Sequence, residues 1–226
     1  MKTILLHGDH TQASYERLQK FIRMAKKRDW EIQQIDSNKS LSLPEILTST
    51  ALFSSNRLFI LEDISALKKQ ELDWLAQKSA EIEGNLIIYH QGVLPRTFLK
   101  SLPKEIKIEE FKLPKLIFNF LDSFFPRNSR RTLKLFHQVL EKEPVEFVFA
   151  LLARHLRDLY WLKVDPKKGP GYPRWRLSKL RKQAGFFPES LLKEIISEMA
   201  EADVKAKTSQ GDLRDFLDFL IMTKLE

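Results

Sequence analysis

Short apolar runs divided by polar turns recur along the first half of the chain. Residues 3–6, 58–61 and 86–89 each form such a run, and weaker versions occur at 31–35 and 106–109. Continuous apolar runs of this length are typical of strands that are buried on both faces of a sheet. The first half of the chain therefore predicts five strands.

Helical patterns lie between these strands. The expected helices cover residues 12–27, 43–52, 67–82 and 95–102. Asp9 and Gln12 have the spacing of a capping box at the start of the first helix. Strands that alternate with helices predict a doubly wound α/β domain with a parallel sheet, here assigned to residues 1–112.

The second half, residues 113–226, has no convincing strand pattern. Six helices fit, at 115–125, 128–141, 144–163, 174–184, 188–206 and 211–225. Pro126, Pro144, Pro173 and Pro188 stand at helix boundaries, where the ring does not cost an internal hydrogen bond. The last helix has an apolar stripe that needs burial, so this half predicts an all-α bundle.

Composition and charge narrow the class of protein. The 226 residues contain no cysteine, which excludes disulfides and thiolate metal sites and fits a cytoplasmic setting. No apolar run reaches the roughly 18–20 residues of a membrane span, so we expect no membrane partner. The net charge of +8 favours a polyanionic partner such as nucleic acid, although a basic surface that only aids solubility remains the alternative.

The loop after the first strand lacks the chemistry of a phosphate-binding loop. Such a loop needs several glycines and a Lys-Ser or Lys-Thr pair, whereas this loop has only Gly8 and no lysine before the helix. We therefore expect neither ATP binding by this route nor any other cofactor. Glu62 and Asp63 occupy the place of a magnesium-holding pair, but a solvated strand end explains them as well.

Three histidines, His7, His10 and His90, follow strands and are expected at one edge of the sheet. A metal site there is possible but lacks a recognisable ligand spacing, and scattered histidines are more often surface or core residues. No metal site and no catalytic residue is predicted.

Leu52 and Phe53 form an apolar pair among serine, threonine and asparagine residues. If they are exposed, they can fill an apolar pocket on a partner, where buried anchors often contribute about 2 kcal/mol each. The alternative is that both pack under the sheet, because an exposed Leu-Phe pair is unfavourable in a monomer.

A basic segment with interleaved aromatic residues lies between residues 154 and 182. The candidate DNA contacts are Arg154, Arg157, Lys167, Lys168, Arg174, Arg176, Lys179, Arg181 and Lys182. Cations neutralise phosphates, and aromatic faces such as those of Trp161 and Trp175 stack on bases. Contacts of this kind would not read base sequence. The alternative is a solvated helix face whose aromatic residues belong to the core.

Several segments resemble the delta subunit of the bacterial DNA polymerase III clamp loader. Residues 51–62, ALFSSNRLFILE, are similar to that family's clamp-binding element, and 5–9, LLHGD, to its degenerate phosphate loop. Residues 151–157, LLARHLR, and 200–208, AEADVKAKT, are similar to its helical collar. The resemblance implies a RecA- or AAA+-like α/β domain without a phosphate-binding loop, followed by a collar.

The resemblance also implies a function. Leu52 and Phe53 would bind and help open the sliding clamp, and the collar would join the ATPase subunits of the loader. The chain would not be an enzyme by itself but a subunit of the DNA polymerase III holoenzyme, without a small-molecule substrate. One departure stands out, because residues 111–114 run directly into the first collar-like helix and the family's small lid domain is missing.

Two other classes of protein stay open. One is a stand-alone basic DNA-binding or adaptor protein derived from this fold, which the missing lid makes plausible. The other is an enzyme that uses the carboxylates and histidines at the sheet edge. Co-purification with the clamp and ATPase subunits separates the first from a loader subunit, and titration with nucleotide and magnesium tests the second.

Overall fold

The computed structural model describes residues 1–35, 42–49, 56–64, 67–78, 81–167 and 169–226. These residues form two compact units, Met1–Leu113 and Pro114–Glu226. None of the helices in these ranges is both long and apolar enough to cross a membrane.

Unit 1 is a parallel sheet of five strands with helices on both faces. In chain order its elements are β1 (Lys2–His7), α1 (Thr11–Lys26), β2 (Glu31–Ile35), α2 (Leu43–Thr48), β3 (Arg57–Glu62), α3 (Lys69–Lys78), β4 (Asn85–Tyr89), α4 (Arg96–Ser101) and β5 (Lys107–Glu110). The strand order is β2-β3-β4-β1-β5, so β4, β1 and β3 lie inside the sheet. All four strand pairs are parallel, as the apolar runs predicted.

Alternation along the strands divides the apolar residues of unit 1 between two faces. Leu5, Phe59 and Ile88 point into the core that includes residues of α2 and α3. Their neighbours Leu6 and Ile60 point into the smaller core on the α1 side. Both sets are fully or almost fully buried, because each central strand is covered above and below.

Unit 2 is helical throughout its described residues. Its helices are α5 (Lys115–Ser123), α6 (Ser129–Leu140), α7 (Val145–Val164), α8 (Arg174–Gly185), α9 (Glu189–Lys207) and α10 (Leu213–Lys224). Aromatic residues join them, for example Phe120 and Phe136, whose ring centroids lie 5.6 Å apart. The expected fold class, a parallel α/β domain followed by a helical bundle, is confirmed.

Two local predictions were wrong. Asp9 does not form a capping box with Gln12, since its Oδ1 accepts a hydrogen bond from the Leu113 N–H at 2.8 Å. His10 caps α1 instead, and its Nδ1 accepts from Ala13 N–H at 3.3 Å. The second helix was expected to continue to residue 52, but α2 ends at Thr48 because Ser49 has a ψ of 135°, outside the helical region.

Candidate functional site

The loop after β1 is closed by its own backbone. Gly8 N–H donates to the Gly92 carbonyl at 2.8 Å, and His10 N–H donates to the Phe111 carbonyl at 3.1 Å. A Cβ on Gly8 would lie only 2.0 Å from the Phe111 carbonyl oxygen, so the two chain segments are in direct contact. A phosphate-binding loop needs free, converging N–H groups, and these two donors are already used.

The histidines and carboxylates of this sheet edge have separate structural roles. His90 Nδ1 lies 3.0 Å from Asp63 Oδ1, whereas His10 caps α1. His7 is completely buried, and that burial lowers its pKa. Among the described residues no group of three or more histidines and carboxylates could hold a metal ion.

Leu52 and Phe53 lie outside the described residues, so the structure does not test their exposure. Arg57, to which the sequence analysis gave no role, joins the two described segments on either side of them. Its guanidinium donates to both the carbonyl and the Oγ of Ser49, and also to Gln33 Oε1 at 2.9 Å. Arg57 thus ties the end of α2 to the starts of β2 and β3. A cation directly before a fully apolar strand is the sequence signal for such a tie.

The candidate DNA contacts of unit 2 lie on α7, α8 and the connection between them. We call this set the basic surface: Arg154, Arg157, Lys167, Arg174, Arg176, Lys179, Arg181 and Lys182. All are exposed except Arg176, which is half-buried. Lys168 lies outside the described residues.

A buried carboxylate gathers three of these arginines. Asp158 is only 2% exposed; it accepts from Arg157 Nη2 at 3.0 Å and from the Tyr172 hydroxyl at 2.8 Å. Arg176 stacks over the Tyr172 ring, with its Cζ 3.8 Å from the ring centroid. Arg154 Nη2 reaches the Tyr172 hydroxyl at 3.4 Å. Tyr172 therefore brings together cations that are far apart in sequence.

Two other cations of the basic surface have partners within the fold. Lys179 forms an ion pair with Asp122 of α5. Arg181 donates to the Pro166 carbonyl at 2.9 Å, which holds the connection after α7 against α8. Both side chains remain exposed, so these partners do not remove them from solvent.

Each of the two helices presents a stripe that combines a tryptophan with two cations. Residues three, four or seven positions apart share a helix face. Helix α7 carries Arg154, Arg157 and Trp161, and α8 carries Trp175, Lys179 and Lys182. Trp161 is 44% exposed and Trp175 is 71% exposed, so neither tryptophan is a core residue. The core alternative for these two aromatic side chains is wrong.

Comparisons with known proteins give one family and two distant solved structures. A DNA clamp loader delta protein of Bacillus subtilis is 15% identical, with a TM-score of 0.47, and the alignment covers 100% of this chain and 95% of that one. A DNA polymerase III gamma subunit-related protein of Thermotoga maritima is 11% identical, with a TM-score of 0.32, and the alignment covers 99% and 94%. Both similarities are too low to carry an argument about function. The search of the curated proteins gives no match.

The family match lies in the helical unit that carries the basic surface. The family of the DNA polymerase III delta subunit, C-terminal domain, matches residues 115–224, from the first residue of α5 to the last residue of α10. Through this domain the chain belongs to the DNA polymerase III delta subunit family.

Proposed function

We propose that this protein is a non-catalytic clamp-loader subunit of the delta type, which acts in DNA replication in the cytoplasm. The observation that carries this proposal is the family match of residues 115–224. The closed loop after β1 supports it, because the Gly8 and His10 N–H groups are bound to backbone carbonyls rather than free for phosphate. ATP hydrolysis then belongs to partner subunits, and DNA synthesis belongs to the polymerase of the holoenzyme.

The clamp contact that we propose is Leu52 and Phe53. The support comes from the sequence around this pair, which is similar to the family's clamp-binding element. The tie from Arg57 to Ser49 adds a physical argument, since it anchors the chain on both sides of the pair. Anchored ends reduce the entropy that a short segment loses when a partner binds it.

A pull-down with the sliding clamp from the same organism tests this contact. Leu52→Ala combined with Phe53→Ala should weaken clamp binding by about 100-fold or more, because two buried apolar anchors are lost. The matched control is Phe219→Ala, which truncates an exposed aromatic residue on α10. The circular dichroism spectra of both variants should equal that of the parent. Clamp binding that survives the double substitution would contradict the proposal.

We propose that the basic surface contacts single-stranded DNA without sequence preference. The two stripes support this role, because each places an exposed tryptophan beside two cations. Bases stack on aromatic faces while lysine and arginine neutralise phosphates, and neither contact depends on base identity.

Fluorescence anisotropy with a labelled oligothymidylate tests the stripes. Trp175→Ala should weaken binding by about 5- to 150-fold, which is the range measured for one stacked base. Lys182→Gln should reduce the slope of log affinity against log salt by about 0.7, because one phosphate contact is lost. Phe219→Ala again serves as the control. Unchanged affinity in Trp175→Ala would show that α8 is not a stacking surface.

A second candidate function is a stand-alone basic DNA-binding or adaptor protein. The short connection favours it, because only residues 111–114 lie between β5 and α5 and no lid domain is inserted there. Affinity purification of the tagged full chain separates the two functions. A loader subunit brings down the clamp and the ATPase subunits, whereas a stand-alone protein retains DNA and brings down neither.

A further inference from the structure

A cavity of about 220 Å³ lies on the α1 face of unit 1. It sits where the first residues of the central strands meet the C-terminal part of α1. Its walls are formed by Lys2, Ile4, Phe21, Met24, Ala25, Arg28, Trp30, Leu58, Asn85 and Ile87. The cavity is far from the loop after β1, because Lys2 and Asn85 begin their strands whereas Gly8 follows the end of β1.

The apolar part of the wall is only partly covered by the fold. Ile4, Phe21 and Trp30 pack against the buried core of this face but remain half-buried themselves. Met24, which also lines the cavity, is 44% exposed. An apolar ligand that enters the cavity would bury these side chains further, and that burial is favourable.

The polar part of the wall carries positive charge. Its polar members are Lys2, Arg28 and Asn85, and none of the lining residues is acidic. Lys2 and Asn85 are directly paired across β1 and β4, so they lie at the same edge of the cavity. The rest of α1 adds charge of the same sign, through the exposed Lys20, Arg23, Lys26 and Lys27.

The acidic residues of this edge of the unit do not cancel that charge. Glu31 lies 3.4 Å from the Arg57 guanidinium and is therefore paired. Asp29 and Glu83 are exposed, and neither lines the cavity. A ligand that suits the cavity thus has an apolar body and an anionic end.

The volume limits the size of that body. An apolar cavity of about 150 Å³ holds one benzene molecule, so this cavity has room for one ring and a short chain. We propose that the cavity binds a small aromatic carboxylate. The ring packs among Phe21, Met24 and Trp30, and the carboxylate accepts hydrogen bonds from Arg28, Lys2 and the Asn85 amide. The side chains present supply both contacts, so the site requires no metal or cofactor.

Methionine methyl groups report on binding in the full chain. The protein has four methionines, of which Met24 alone lines the cavity; Met199 and Met222 lie on α9 and α10. Titration of ¹³C-methyl-methionine protein with 3-phenylpropanoate should shift the Met24 signal saturably, with a Kd of about 1 mM. The other methionine signals should stay in place. No saturable shift of Met24 by about 20 mM ligand would overturn the proposal.

Two comparisons test the chemistry of the site. The neutral analogue 3-phenylpropan-1-ol should bind about two- to fivefold more weakly, which is the contribution of an exposed ion pair. Arg28→Gln should weaken 3-phenylpropanoate binding by a similar factor, whereas Lys27→Gln, beside the cavity but not in its wall, should not. Equal binding of acid and alcohol, or equal effects of the two variants, would overturn the carboxylate assignment.

Filling the cavity gives an independent test. Ala25 is buried in the wall, and Ala25→Leu should abolish the Met24 shift by occupying the space of the ring. Binding that persists in a folded Ala25→Leu protein would overturn the site. If that variant does not fold, the comparison of Arg28→Gln with Lys27→Gln decides.

Discussion

At the scale of single residues, the backbone after β1 decides what this edge of the sheet can bind. Gly8 adopts a φ of +142° and approaches the Phe111 carbonyl closely, which only a residue without Cβ allows. In a phosphate-binding loop a glycine serves to expose N–H groups to the ligand. Here the same residue type serves to pack one chain segment against another. The frame of an ATPase is therefore retained without its nucleotide chemistry.

His155 is a buried histidine whose protonation state the fold dictates. The Gln183 amide donates to the Leu121 and Phe124 carbonyls at 2.7 and 2.9 Å, so its Oε1 is left to accept. His155 Nε2 lies 3.1 Å from that oxygen and donates to it. Burial lowers the pKa of His155 to about 4, because the charged ring would lose its hydration.

The lowered pKa of His155 makes unit 2 less stable in mild acid. Above pH 6.5 the histidine is neutral in both the folded and unfolded chains. Between pH 6.5 and about 4 only the unfolded chain takes up the proton, so the free energy of unfolding falls by up to about 3 kcal/mol. Denaturant unfolding at several pH values should show this loss in the parent and a smaller loss in His155→Gln. The exposed His137→Gln variant should keep the full loss, and an equal loss in all three proteins would refute the assignment.

At the scale of elements, Tyr172 fastens the connection between α7 and α8. Its hydroxyl donates to the buried Asp158 of α7, and its ring supports Arg176 of α8. Arg181 of α8 holds the same connection through the Pro166 carbonyl. The glycines and prolines of this segment predicted a loop, and these contacts explain how the loop is held against the helices.

Removing the Tyr172 hydroxyl should loosen this connection. Tyr172→Phe leaves one oxygen of the buried Asp158 without that donor, at a cost of about 1–2 kcal/mol in the free energy of unfolding. Trypsin should then cleave after Lys167 faster than in the parent. Tyr160→Phe, on the same helix as Asp158, is the control. Equal cleavage rates in the two variants would show that the hydroxyl does not fasten the loop.

At the scale of the whole molecule, each unit has its own core. The sheet of unit 1 buries its apolar residues against α1 to α4, while unit 2 buries Phe120, Phe136 and Leu217 among its helices. A segment with its own hydrophobic core is expected to fold without the rest of the chain. The family match covers unit 2 almost from end to end, which agrees with that independence.

Unit 2 should therefore fold when it is produced alone. A fragment of residues 114–226 should have a helical circular dichroism spectrum and a single cooperative unfolding transition. A shorter fragment that starts at residue 129 lacks α5, which carries the buried Phe120 and Phe124, and serves as the control. It should unfold at a lower denaturant concentration. A non-cooperative transition in the longer fragment would contradict an independent unit.

Most elements of the fold were predictable because their signals are local. The run 58–61 and the helix predicted at 144–163 match β3 and α7 to within a residue or two. The ends were less predictable: α2 stops at Thr48, and Asp9 reaches Leu113 rather than the helix beside it. Both differences arise from contacts that sequence spacing does not show.

Of the candidate site, the charge was predictable and its arrangement was not. The cations of residues 154–182 could be read from the sequence, but not which of them share a face with an exposed tryptophan. Arg57 and Tyr172 were missed as organising residues, because their partners lie on other elements. Leu52 and Phe53 remain a prediction.

The sequence by itself determined the alternation of strands and helices, the lack of a phosphate-binding motif and the resemblance to the delta family. These properties depend on hydrophobic period and short motifs, which are local. Only the tertiary structure decided that the Gly8 loop is closed by Phe111 and that Trp161 and Trp175 are exposed. Exposure and closure depend on which distant segments cover a residue, and the packing of the folded chain alone determines that.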